Sequence, residues 1–463
     1  MRLFTPIAFA AVAFAAASPA RADDGVAARP TILLERWQED WSALADPSLR
    51  TDPLDPLKYI RLGSDPMSYV SFGLTVRERF EASDATPLGV GADPRDDYVL
   101  SRVQVHADLH LASHLQIFTQ LASYLAPGKT RIGPIDQDAL DVEQAFAALT
   151  IPIETDTLVF RVGRQEIALD RQRFVGIRDG PNVRQPYDAI WAHDTHGAWN
   201  ASVFYSQPVQ VHDDHAFDDT SSTHLTFSGL RVERTRVGPG LLSAYVARYR
   251  NDNATYLAAT GAETRYLADA RYAGAAHRWD WDVEAMDQVG SVGLVDVRAW
   301  AVGNLAGYTW KAAAWEPRLG LQLDAASGTH DRAGHTIGTF NALFPNGYYE
   351  TLPGYPGYAN FVQVKPSWTV APTRTLTVML AVAAVWRDTV ADAVYMLPSL
   401  PIPGTAGEGG PFTGTYEQLH VDWFMTTHWS SALEAVHFAV GDALRNAGAH
   451  DNNYLGVELR YAL

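Results

Sequence analysis

Between Val99 and Leu111 the chain alternates with period two. Val99, Val103, Val105, Ala107, Leu109 and Leu111 fall on one face; Arg102, Gln104, His106, Asp108 and His110 fall on the other. A strand sorted this way stands between an apolar and a polar environment. The pattern recurs along the chain. Leu74 and Val76 oppose Thr75, Arg77 and Arg79. Tyr266, Ala268, Ala270 and Tyr272 oppose Arg265, Asp269 and Arg271, and Val295, Val297 and Ala299 oppose Asp296 and Arg298. The last residues repeat it, with Leu455, Val457, Leu459, Tyr461 and Leu463 against Glu458 and Arg460.

Two environments admit either a soluble β-sandwich or a membrane barrel. Residues 1–22 read as a secretory signal peptide: Arg2, an apolar stretch from Leu3 to Ala17, then Ala20-Arg21-Ala22 before Asp23. Beyond it the longest apolar run, Leu376 to Trp386, falls far short of the ~20 residues a helix needs to cross a bilayer. Only helices and closed barrels span lipid. The polar faces carry full charges, which suits a wet lumen, and 13 Trp and 20 Tyr suit interfacial girdles. The fold class expected is therefore an all-β transmembrane antiparallel barrel over residues 55–463. At roughly 24 residues per strand and connection it has about 18 strands, with periplasmic termini in the outer membrane of a Gram-negative-type envelope. Residues 23–54, with Trp37 and Trp41, are too few for a plug domain and read as a short periplasmic or lumen segment.

The chain has no Cys, which removes disulfides, thiolate metal sites and cysteine nucleophiles. Its net charge of −17 argues against nucleic acid as a partner. If the apolar faces meet lipid, the lumen receives Arg77, Arg79, Arg102, Arg161, Arg231, Arg248, Arg250, Arg265, Arg271, Arg298 and Arg460. The acids there are Asp108, Glu233, Asp269, Asp280, Asp282, Glu284, Asp296 and Glu458. The lumen then leans basic inside an acidic chain. Lys58, Lys129, Lys311 and Lys365 are the only lysines among 36 basic residues. Guanidinium forks bind carboxylates bidentately, and rings of arginine select anions in pores. Cross-strand Arg–acid ladders that merely stitch the wall are the competing reading.

One segment is more specific. It runs Val162-Gly163-Arg164-Gln165-Glu166, then Arg173, then Gly176-Ile177-Arg178-Asp179-Gly180-Pro181-Asn182-Val183-Arg184-Gln185-Pro186-Tyr187-Asp188. It resembles the alginate export family of outer-membrane proteins. Asp55–Ile60, Thr339–Gly347 and the final hairpin around His437-Phe438 and Tyr454-Leu455 carry the same resemblance. The resemblance implies a monomeric 18-stranded barrel with an arginine-rich lumen that exports alginate, served by outer-membrane lipid and a periplasmic export scaffold.

Arg164, Arg178 and Arg184 with Glu166, Asp179 and Asp188 can build an ion-pair network that folds a loop into the pore. Arg164, Arg178, Asp179 and Arg184 are expected to line or support the constriction, and Glu143 to partner these arginines. Parity leaves one conflict. Leu158, Phe160 and Val162 look lipid-facing, and strict parity puts Arg164 and Glu166 outward too: either the strand has passed the hydrocarbon band there, or Gly163 makes a bulge that resets the face. His212, Asp213, Asp214 and His215 read as a solvated acidic loop rather than a metal site. No cofactor is called for, and no catalytic motif appears. The function expected is a channel for anionic polysaccharide or other carboxylated solutes. A general diffusion porin is the alternative.

Overall fold

The computed structural model describes residues 29–85, 87–90, 95–154 and 156–463. Residues 1–22, expected to be a signal peptide, lie outside these. Eighteen long strands are described. The first nine are β1 (Tyr69–Ser83), β2 (Asp96–Leu111), β3 (Leu115–Leu125), β4 (Asp138–Ile153), β5 (Asp156–Glu166), β6 (Pro186–His196), β7 (Trp199–Gln210), β8 (Leu225–Val237) and β9 (Gly240–Thr255). The second nine are β10 (Thr260–Ala276), β11 (Trp279–Val292), β12 (Val295–Thr309), β13 (Arg318–Ala326), β14 (Phe361–Thr373), β15 (Leu376–Trp386), β16 (Phe412–Phe424), β17 (Trp429–Val440) and β18 (Asn452–Ala462). Each pairs antiparallel with the next, and β1 pairs with β18 from Thr75↔Ala462 to Ser83↔Tyr454. The sheet is a closed barrel, so no strand edge is left unpaired.

The alternation explains why. Phe72, Phe80, Val105, Val162, Ile190, Val246, Leu380, Val382, Val457 and Leu459 are exposed on the outer wall. An exposed apolar belt of this extent is stable only against hydrocarbon. Their strand neighbours Arg77, Arg79, Arg102, Gln104 and Asp108 are buried inside. At one end the strands join through short turns. There Trp279, Tyr308, Trp310 and Trp368 form a chain of ring contacts, 4.8–5.7 Å between centroids, and Trp429 meets Tyr461 at 5.0 Å. This is an interfacial girdle on the periplasmic side, where the first described residues and the end of β18 lie.

The other, extracellular end carries the long loops, two of which turn into the barrel. Residues 167–185 and 327–360 meet there: Phe344 N donates to Phe174 O (3.0 Å) and Gly176 N to Phe344 O (2.9 Å). Phe344 packs on Tyr187 and Phe227, and Phe174 on Phe340 and Tyr358. The apolar core thus sits inside the barrel, where loop residues pack against inward-facing strand residues such as Phe204, Tyr245 and Met286. It also explains the run Leu376–Trp386: Leu380 and Val382 face lipid while Ala383 and Val385 face this inner core.

At the periplasmic end residues 29–54 enter the barrel mouth. Arg36 Nη1 donates to Thr75 Oγ1 (3.1 Å), Gln116 Nε2 to the Trp37 carbonyl (2.8 Å) and Trp41 N to Tyr69 Oη (3.0 Å). Trp37 stands edge-on to Phe146, with Arg161 4.0 Å from its ring centre.

Candidate functional site

The loop 167–185 is fixed to the wall by its own polar groups. Arg102 and Arg184 both pair with Asp179, the latter at 2.7 Å, and Arg460 reaches its other oxygen at 3.0 Å. Arg77 Nη1 donates to the Asp179 carbonyl (2.9 Å) and Nη2 to Asn182 Oδ1 (2.9 Å). Burial opposes ionisation of Asp179, but Arg184, Arg460, Arg102 and Arg77 outweigh it and hold the carboxyl well below the usual carboxylate range. Asn182 is the second anchor. Its Nδ2 lies 3.2 Å from Ser101 O, 3.1 Å from Leu125 O and 2.9 Å from Asp136 O, so it closes the ends of β2 and β3 onto the loop. Arg184 also pairs with Glu166 at 3.0 Å, tying the loop to the end of β5.

A second network holds the first half of the loop. Asp170 pairs with Arg231 (2.8 Å), which also pairs with Glu233 (2.6 Å). Arg271 pairs with Asp282 at 2.5 Å. Arg173 pairs with Glu284 and stacks 4.6 Å from the centre of Tyr349. A Cβ at Gly303 would stand 2.3 Å from Arg173 Nε, so glycine there makes room for the guanidinium. The roles of Arg173 and Asn182 were not foreseen from sequence. Both lie in the motif, but their partners are remote along the chain.

Arg77, Arg79, Arg102, Arg161 and Arg460 turn inward. Arg79 pairs with Glu81 (2.6 Å), and Glu458 sits 3.3 Å from Arg460 and 3.7 Å from both Arg77 and Arg79. The other expected residues divide. Arg178, with φ +59°, donates to Gln185 (3.2 Å) and takes no part in the Asp179 cluster. Arg164 continues the outer face of Phe160 and Val162 beyond the apolar belt. It pairs there with Asp188 (3.1 Å) and Asp141 (3.5 Å) under the loop 211–224. The register runs unbroken through Gly163 on both sides, so no bulge resets its face. The bulge is one strand earlier, where Glu143 is the extra residue between Gln120↔Gln144 and Leu121↔Val142. Glu143 accepts from Gln104 (2.6 Å), Gln120 and Tyr124 rather than pairing with an arginine.

Arg248 and Arg298 are corrections. Both are exposed on the outer wall, as are Arg250 and Asp296, while Tyr249, Val297 and Ala299 face inward. Arg248 and Arg250 lie in the extracellular half of β9, and Asp296 and Arg298 near the extracellular end of β12. There the inside is filled by apolar loop residues such as Phe344 and Ile337, and the outside has left the hydrocarbon. The rule that the apolar face meets lipid inverts.

Within the Asp179 cluster five guanidiniums (Arg77, Arg79, Arg102, Arg184, Arg460) face the carboxylates of Asp179, Glu458, Glu81 and Glu166. The Arg460 side chain is 21% exposed and that of Asp179 17%, whereas those of Arg102 and Arg184 are nearly sealed. Most of the positive charge is structural, and Arg460 keeps solvent access.

A closed barrel with an apolar belt, an aromatic girdle and a charged lumen narrowed by inward loops is an outer-membrane channel. The match to known families is specific: this chain belongs to the alginate export family, whose model covers residues 68–458. It is a channel and not an enzyme. No curated protein sequence matches it. Among solved structures, the fold is similar to OccK2 (OpdF) of Pseudomonas aeruginosa (10% identity, 85% of this chain and 97% of that one, TM-score 0.56). OccAB4 of Acinetobacter baumannii (9%, 88% and 99%, 0.57) and a BenF-like porin of Pseudomonas fluorescens (11%, 85% and 99%, 0.57) are similar to the same degree. OccK2 has also been solved in complex with glucuronate (11%, 85% and 96%, 0.55).

Proposed function

We propose that this channel passes carboxylated saccharides, alginate-like polyuronate above all, along the arginine side of its lumen. The observation that carries the reading is the docking of Asp179. A carboxylate inside the barrel is held by Arg102, Arg184 and Arg460 together, with Arg77 on its carbonyl. A sugar carboxylate passing Arg460 meets the same chemistry, and Glu458 at 3.3 Å keeps that encounter weak enough for release. Family membership supports polysaccharide export, with a periplasmic scaffold delivering the chain to a monomeric barrel. Liposomes loaded with the protein test the reading. Uptake of glucuronate oligomers should exceed that of neutral glucose oligomers of equal length, and equal rates would sink it.

A second reading has its own support. The two inward loops pair with each other and pack an apolar core inside the lumen, which suits small solutes better than a polymer. A glucuronate-bound structural neighbour agrees with a small carboxylate as cargo. Influx of monomeric uronates with no passage of oligomers would favour it.

A further inference from the structure

The loop 211–224 brings a third carboxylate to two others at the start of β4. Its docking is specific. Phe217 N donates to Leu140 O (3.0 Å), Asp219 N to Asp141 Oδ2 (3.0 Å), and Asp213 accepts from Ala139 N (3.0 Å) and Gln137 Nε2 (2.7 Å). Oxygens of Asp138, Asp141 and Asp219 then lie within 4.8 Å of one another. Like charges this close repel unless something offsets them.

Two further observations point to a ligand. Asp138 is 3% exposed, and its Oδ1 has no hydrogen-bond partner among the described residues. A buried carboxylate oxygen left bare is costly. The three carboxylates also line a cavity of about 10 Å³, room for one water-sized occupant, together with Tyr124, Glu143 and Arg184. The cations at hand do not satisfy the group. Arg164 is 3.5 Å from Asp141 but engaged with Asp188 and two backbone carbonyls, and Arg184 is paired with Asp179 and Glu166.

The geometry points to a divalent-cation site of the calcium class, formed by Asp138, Asp141 and Asp219, that clamps the loop 211–224 to the barrel rim. Every donor is a hard oxygen, which suits Ca²⁺ and gives no preference to zinc or copper. Two oxygens on one Ca²⁺ at about 2.4 Å can lie up to about 5 Å apart, in keeping with the spacing here.

Terbium is a suitable probe because Tyr124 lines the cavity and can sensitise its luminescence. Full-length protein in detergent, stripped with chelator, should show Tb³⁺ luminescence that calcium displaces. Binding should weaken at least tenfold in Asp138→Asn and in Asp219→Asn, with Tyr124→Phe abolishing the signal but not calcium binding by calorimetry. Calcium should also slow proteolysis within residues 211–224. Heat-modifiable gel mobility checks that each barrel is folded, and the loop variant Asp219→Asn carries the test if Asp138→Asn does not fold. Absence of calcium binding at millimolar concentration, or equal binding in wild type and a folded variant, overturns the site and leaves a protonated Asp138 in its place.

Discussion

Asn182→Ala should release the 178–185 arm of the inward loop. The side chain is 1% exposed and has no route to water. Its two N–H groups are shared among Ser101 O, Leu125 O and Asp136 O, and its oxygen accepts from the Arg77 guanidinium. A neutral hydrogen bond contributes about 1 kcal/mol and one to a charged group about 1.5–3 kcal/mol. Loss of two of the first kind and one of the second weakens docking by about 4 kcal/mol. At 1.4 kcal/mol per decade the undocked population rises about a thousandfold. In planar bilayers the variant should show larger steps and rapid gating between two levels, where wild type holds one. Protease added from outside should cut within 178–185 in the variant only. Unchanged conductance and unchanged cleavage from a properly folded variant would refute the role of Asn182 as anchor.

Further outcomes follow from the same geometry. Arg460→Ala should lower anion selectivity, whereas Arg248→Ala and Arg298→Ala, both on the outer wall, should leave reversal potentials unchanged. Gly303→Ala should displace Arg173, break its pair with Glu284 and lower the thermal midpoint of the loop transition followed by circular dichroism. Lys58 is buried beside Arg36, with Glu39 3.8 Å away and Arg29 and Asp108 nearby; burial first, then Arg36, bring its ammonium down to about 7. A lysine depressed in the docked state favours docking when neutral. Docking of residues 29–58 should therefore tighten by up to about 1.4 kcal/mol per unit between pH 7 and 10 and be constant below 7. Hydrogen exchange in that segment reads this, and Lys58→Met should remove the pH dependence.

The strands were legible wherever one face met hydrocarbon and the other water. There the alternation of Val103 and Val105 with Arg102 and Gln104 has one solution. It misleads at the extracellular rim. Arg248 and Arg298 sit on strands whose inner neighbours are covered by loops from elsewhere in the chain, so their phase reports on tertiary structure that period-two patterning does not contain. The pairing of charges was hidden for the same reason. Asp179 and Arg184 stand five residues apart, but Arg102 and Arg460 come from strands that only barrel closure brings together. Arg164 shows the limit of motif reading. It shares a motif with Arg184, yet strand parity sends one outward and a loop carries the other inward. Asp219 was equally out of view, since its partners Asp138 and Asp141 lie two hairpins earlier.

If the proposed function holds, lumen arginines near Asp179 govern what passes. The most direct measurement is the reversal potential of single channels in a salt gradient, with polyuronate then added to one side, for wild type and Arg460→Ala. Wild type should show anion preference and polyuronate block, both reduced in the variant, with unit conductance kept within about twofold. Cation preference, or selectivity and block identical in the two proteins, would contradict the proposal.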